Sequence, residues 1–140
     1  VLNRRRDLLG DAHFDTNTSV INLAWLRVNQ GLHREALSLL TPIESSVRNL
    51  FRGSHLHFLS TYLLQLGIAQ AAEGNFAAAE AALTECMEVG ARNARDLHRD
   101  LVERHEAMVD LYSRWSKSDP TSNATQKLQE WQQRLATVQE

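Results

Sequence analysis

The chain has 140 residues, of which 43% are hydrophobic, with a formal net charge of −2 and a single cysteine. This length predicts one domain. The small net charge argues against a nucleic-acid partner, and no apolar run approaches the roughly 20 residues that a membrane-spanning helix needs. One cysteine excludes an internal disulfide framework and is typical of a reducing compartment, so we expect a cytoplasmic protein with no membrane partner.

Apolar residues recur at three- and four-residue steps along the chain, which predicts helices throughout. We expect a short helix over 1–9, then helix pairs at 16–30 with 33–51, 55–73 with 76–93, and 97–116 with 123–138. Gly31 and Gly74 stand where the first helix of a pair ends, a position that favours glycine because its backbone tolerates a positive φ. Pro42 predicts a kink or break in the second helix. No segment alternates with a period of two, so no sheet is expected.

Several residues recur 43 positions apart, which indicates an internal repeat. The pairs include Gly31 with Gly74, Ala36 with Ala79, and Leu40 with Leu83. A third unit follows at a similar spacing but is degraded. We therefore divide the single domain into the end of a preceding repeat (1–10), repeats at 11–53 and 54–95, and a capping repeat at 96–140.

Small residues are expected where the helices of a pair cross. Alanine or glycine lets two helix axes approach to about 8 Å, whereas a leucine-sized side chain holds them near 10 Å. Ala24 and Ala36 are predicted to face each other in the first pair, and Gly67 and Ala79 in the second. Glycine inside a helix costs roughly 1 kcal/mol relative to alanine, and we expect close packing at Gly67 to offset that cost.

The repeated pattern resembles the tetratricopeptide repeat. The matching residues are Leu23, Ala24, Gly31, Ala36 and Leu40 in the first copy and Leu66, Gly67, Gly74, Phe76, Ala79 and Leu83 in the second. The period is similar to the 42-residue variety of kinesin light chains, and the closing stretch is similar to the last repeat in the tails of some bacterial serine/threonine protein kinases. The resemblance implies an all-α, right-handed superhelix of about three helix hairpins with a C-terminal capping helix.

No kinase motif occurs in the sequence, so any catalytic domain of such a kinase would lie outside the chain. The sequence begins with Val1 rather than methionine, and we expect it to be a fragment of a larger protein. The resemblance then implies a non-catalytic scaffold that binds a protein or peptide partner. The alternative is a purely architectural segment of a longer superhelix, or a module that self-associates weakly through its N-terminal end.

Stacked repeats present their first helices on a concave face, where a peptide could lie. The residues that we expect to bind a partner there are Asn22, Trp25, Asn29, Gln65, Ile68 and Arg114. The same face is predicted to include Thr18, Ile21, Val28, Thr61, Leu64, Ala72, Glu103, Glu106 and Asp110. A role for Asn22 in holding the backbone of a ligand is implied by the resemblance alone. The competing interpretation is that Ile21 and Trp25 pack on the next first helix.

Residues capable of chemistry are scattered rather than convergent. His55 and His57 point to different sides of a helix, and no cysteine pair or His-x-x-x-His motif accompanies them. Cys86 is expected to pack inward as a small hydrophobic residue. No acid–base couple stands out, so we expect neither an enzyme nor a metal or other cofactor. In the last helix, Trp131 belongs to an apolar stripe that would dock the cap.

Overall fold

The structure is a computed structural model that describes residues 14–93 and 96–140. These residues form helices and connecting turns without any strand, which confirms the all-α prediction for this part of the chain. The α-helices are α1 Phe14–Asn29, α2 His33–Leu40, α3 Glu44–Leu50, α4 Leu56–Ala72, α5 Phe76–Arg92, α6 His98–Ser118 and α7 Ala124–Gln139. The helix predicted over 1–9 lies outside the described residues.

The segment 33–51 is broken in the middle. A 3₁₀ turn at Thr41–Ile43 separates α2 from α3. Pro42 lies in this turn and has no N–H to donate to the preceding helical turn, so the α-helix cannot continue through it. A second 3₁₀ turn at Gly53–His55 leads into α4.

Two glycines turn the chain between paired helices. Gly31 has a φ of +77° and Gly74 a φ of +81°, in the left-handed region that side chains disfavour. In both turns the amide after the glycine donates to a carbonyl five residues back, from Leu32 to Arg27 over 2.8 Å and from Asn75 to Gln70 over 2.9 Å. This closure satisfies a carbonyl at the end of the helix and starts the next helix two residues later.

Packing follows chain order. Helix α1 packs on α2 and α4, α4 packs on α5 and α6, and α6 packs on α7. The first helices of the three hairpins, α1, α4 and α6, therefore lie side by side in sequence order. Their partners α2, α5 and α7 complete the hairpins.

The small residues named from the sequence lie inside the fold. Ala24, Ala36 and Ala79 are fully buried. A Cβ atom placed on Gly67 would lie 2.4 Å from Cδ2 of Leu83, so α4 and α5 approach each other at this point. The side chain that fills the space above Gly67 is Leu83, whereas the sequence had indicated Ala79.

Polar contacts join successive hairpins. The Tyr62 hydroxyl on α4 donates to the Leu40 carbonyl over 2.8 Å in the core. Arg48 of α3 holds Glu85 of α5 through both guanidinium nitrogens. The carboxylate of Glu80 on α5 has two partners: it accepts from the Tyr112 hydroxyl of α6 over 2.7 Å and from the Lys127 ammonium of α7 over 2.9 Å.

Candidate functional site

An open groove runs between α1, α4 and α6, and we call it the interhelical groove. It consists of two adjoining cavities of about 490 and 420 Å³, which share Trp25, Leu64, Gln65 and Glu103. We name the larger cavity the Asp96 half; its other lining residues are His57, Ser60, Thr61, Asn93, Asp96, Arg99, Asp100 and Arg104. We name the smaller cavity the Glu106 half; its other lining residues are Val28, Asn29, Ile68, Glu106, Ala107 and Asp110.

Trp25 is the most prominent apolar group of the groove. Its residue surface is 48% exposed, although large apolar side chains normally find cover inside a fold. Ile21, one helical turn earlier on α1, is buried in the core. The prediction that Ile21 belongs to the binding face is therefore wrong, because α1 is rotated so that this side chain faces inward.

Gln65 lies beneath the groove with an incomplete set of hydrogen bonds. Only 4% of its surface is exposed, and its Oε1 atom has no hydrogen-bond partner. A buried acceptor left without a donor costs about 1–3 kcal/mol. The Oε1 atom has almost no accessible surface, but Gln65 lines both halves of the groove, so a turn of its side chain would bring this oxygen to an N–H group bound there.

Carboxylates form one edge of the groove along α6. Glu103, Glu106 and Asp110 are spaced three and four residues apart, which places them on one face of the helix. Asp110 pairs with Arg114 over 2.9 Å. Within the described ranges, Glu103 and Glu106 have neither an ion-pair nor a hydrogen-bond partner. The Glu106 half thus carries three carboxylates and no basic side chain among its lining residues.

A buried ion pair lies in the Asp96 half of the groove. Arg104 on α6 is 3% exposed at its side chain and holds Asp96 through two hydrogen bonds of 2.8 and 2.6 Å. The hydrogen bonds that Arg104 donates to the Asp96 carboxylate raise the pKa of Arg104. A Cβ atom on Gly90 would lie 2.4 Å from the guanidinium carbon, so this glycine gives Arg104 its place against α5. The ion pair links Asp96, which precedes α6, to Arg104 within α6.

The structure separates the predicted binding residues into two groups. Trp25, Asn29, Gln65 and Ile68 all line the groove. Asn22 is exposed on α1 but does not line either half, and Arg114 is exposed beside Asp110 without lining the groove.

Sequence reasoning missed most of the Asp96 half. The missed residues are His57, Ser60, Asn93, Asp96, Arg99, Asp100 and Arg104. The sequence offered little indication of these residues, since no recognisable turn motif follows α5 from which the course of the backbone could be predicted. The one available pointer was Gly90, a glycine inside a helix that no turn requires.

Other reactive side chains are occupied in packing. Cys86 is buried, and that burial raises the pKa of its thiol to about 11. His55 packs against the rings of Phe14 and Phe58. Over residues 14–93 and 96–140, no group of three or more histidine, cysteine or acidic side chains is placed to share a metal ion. None of the helices there combines the length and apolarity that a membrane crossing requires.

Comparison with protein-family models, curated proteins and solved structures gives no match for the chain. The chemistry of the interhelical groove is therefore the basis for a functional assignment. It offers an exposed indole, a buried amide oxygen that lacks a donor, and a row of carboxylates. An indole, an amide oxygen and carboxylates are groups that can contact a ligand through apolar burial, hydrogen bonds and charge.

Proposed function

We propose that the chain is a non-catalytic protein-interaction module of the tetratricopeptide type, which binds a peptide or protein segment in the interhelical groove. In this proposal the hairpins stack as a right-handed superhelix, with α1, α4 and α6 on its concave side. The chain-order packing of these three helices supports the arrangement. The observation that carries the proposal is that Trp25 and Gln65 line the same groove. The Trp25 surface is half exposed, and the Oε1 atom of Gln65 has no hydrogen-bond partner.

The magnitude of the indole contribution follows from its exposure. A tryptophan side chain offers on the order of 200 Å² of surface, so covering the exposed half buries about 100 Å². At about 25 cal/mol per Å² this burial contributes roughly 2.5 kcal/mol to binding. Replacing Trp25 with alanine should therefore raise the Kd about 60-fold. Because Gln65 would gain a hydrogen bond on binding, removing its amide should weaken the complex further.

Selection from a random-peptide display library tests this function directly. Peptides selected on the wild-type chain should bind Trp25→Ala and Gln65→Leu variants much more weakly in fluorescence anisotropy. A Thr84→Ala variant provides the control, because Thr84 is exposed on α5 and does not line the groove. Peptides that bind Trp25→Ala as tightly as the wild type would refute the proposal, provided that both chains show the same helical circular dichroism.

A second candidate is self-association as a segment of a longer superhelix. Leu26 and Leu32 on the first hairpin are 47% and 41% exposed, and apolar side chains of this size on the surface favour contact with another chain. Sedimentation equilibrium would then show a mass that rises with concentration, and a Leu26→Ser/Leu32→Ser variant would stay monomeric. A wild-type chain that remains monomeric across the concentration series would exclude this candidate.

A further inference from the structure

We infer that the partner segment bound in the Glu106 half of the groove is basic, with lysine or arginine side chains directed at Glu103 and Glu106. This inference rests on the proposed function, because it names the chemistry of the ligand for the same groove. Its first support is the charge of the site. Glu103, Glu106 and Asp110 place three negative charges in this half, while the entire chain has a formal net charge of −2.

Of the three carboxylates, those of Glu103 and Glu106 are available for a ligand. Arg114 already pairs with Asp110, but Glu103 and Glu106 have no ionic or hydrogen-bonded partner in the part of the chain that the structure describes. Both are exposed, three residues apart on one face of α6. Like charges at this spacing repel each other, and a cation bound between them would replace repulsion with attraction.

Gln65 supplies an independent indication of the ligand. The residue is only 4% exposed, and its Oε1 atom has no hydrogen-bond partner and almost no accessible surface. If the side chain turns toward the groove that it lines, this oxygen accepts a hydrogen bond from an N–H donor of the ligand. Lysine and arginine carry such donors at the end of an apolar stem. An N–H of the ligand backbone would serve equally at this atom, and the side-chain cations would then meet the carboxylates.

Trp25 completes the match to a long basic side chain. It is half exposed and lines the same half of the groove as the carboxylates. An ammonium or guanidinium group stacked over an indole gains a cation–π interaction, and its methylene stem covers apolar surface. Val28, Leu64 and Ile68 provide further apolar surface for that stem.

Acidic and nucleic-acid ligands fit this half poorly. The basic side chains that line the groove, Arg99 and Arg104, belong to the Asp96 half, and Arg104 is already held by Asp96. A phosphate or carboxylate placed near Glu106 would face three carboxylates and no basic lining side chain. A second copy of this net-acidic chain is less suited than a basic segment for the same reason.

Three fluorescein-labelled peptides of equal length test the charge preference by fluorescence anisotropy. They contain three tandem copies of Lys-Leu-Ala, Gln-Leu-Ala or Glu-Leu-Ala, so that only the charge differs. At low salt the lysine peptide should bind about tenfold more tightly than the glutamine peptide, as expected for two exposed ion pairs. The glutamate peptide should bind more weakly still, and raising the salt should reduce the difference between the three peptides.

A Glu103→Gln/Glu106→Gln variant should lose most of the preference for the lysine peptide over the glutamine peptide; Trp25 and Asp110 would maintain only a small remainder. Glu88→Gln on α5 is the matched control, because Glu88 is exposed, acidic and outside the groove, and this variant should keep the preference. Equal binding of all three peptides to the wild type would overturn the inference, as would a lysine preference as large in Glu103→Gln/Glu106→Gln as in the wild type.

The display selection separates this inference from the proposed function. Selected peptides that depend on Trp25 and are rich in lysine or arginine support both. Peptides that depend on Trp25 but are neutral or acidic overturn the basic-segment inference and leave the proposed function standing. If no selected peptide depends on Trp25, both proposals fall.

Discussion

Gly67 offers the sharpest test of close packing between α4 and α5. Replacing it with alanine would add one methyl group, whose carbon would lie 2.4 Å from Cδ2 and 2.5 Å from Cγ of Leu83. Ordinary carbon contacts are about 3.5–4.0 Å long, so the overlap exceeds 1 Å. Leu83 is buried in the close-packed core, so its side chain can shift only against its packed neighbours. The helices must therefore move apart, or Leu83 must leave its preferred rotamer.

Two opposing effects determine the size of the change. Alanine is favoured over glycine within a helix by about 1 kcal/mol. Overpacking a core typically costs 1–3 kcal/mol, and an overlap this large places Gly67→Ala near the upper end, at about 3 kcal/mol. The net loss in the free energy of unfolding is then about 2 kcal/mol. With an unfolding entropy of about 2.1 cal/mol/K per residue, this loss lowers the Tm by about 7 °C for a chain of 140 residues.

Thermal and urea unfolding followed by circular dichroism would measure the effect. Ala78→Gly is the matched control, because Ala78 is exposed on α5 and reports helix propensity without packing. Both substitutions should destabilise the chain, although they change helix propensity in opposite directions. If Gly67→Ala proves as stable as the wild type, or more stable, the close approach of the two helices is not what requires glycine here.

Three further outcomes follow from the described contacts. Glu85 accepts hydrogen bonds from Arg48, which hold the pKa of Glu85 below the usual range. The stabilisation by Glu85 is present above the unfolded pKa and is lost as the pH falls through the folded pKa. In urea titrations, Glu85→Gln should therefore reduce the loss of stability below about pH 5. Burial raises the pKa of the Cys86 thiol to about 11. At pH 8 a thiol reagent should therefore react more than about a hundredfold more slowly with the folded chain than with the chain unfolded in guanidinium, and equal rates would contradict the burial of Cys86. Trp131→Ala should remove hydrogen-exchange protection from α7 first, whereas uniform loss along the chain would count against docking through this side chain.

Much of the secondary structure could be predicted because its causes are local. Apolar spacing placed the ends of α1, α4, α5, α6 and α7 within two residues of those observed, whereas α2 and α3 were predicted as one helix over 33–51 with a kink or break at Pro42. Gly31 and Gly74 marked turns because a positive φ is costly for any side chain. Pro42 indicated the break between α2 and α3, because proline lacks the N–H that would hydrogen-bond to the preceding helical turn, a purely local effect.

The groove was harder to predict because it depends on how each helix is rotated. A small rotation of α1 decides whether Ile21 or Trp25 faces the core, and periodicity alone did not resolve the two. The pair between Arg104 and Asp96 depends on the path of the connection before α6, for which the sequence has no turn signature. Gln65 was expected on the binding face, but its unpaired oxygen becomes visible only when all its neighbours are placed.

Because each helix rests chiefly on those adjacent in the chain, a force applied at the two ends would act on the hairpins in series. In an optical trap, the hairpin of α6 and α7 would then extend as a separate step, restrained by the packing of α6 on α4 and α5 and by the Tyr112 and Lys127 contacts to Glu80. The hairpins would then unfold one after another under load, and a ligand bound across α1, α4 and α6 as proposed would raise the force at which they separate.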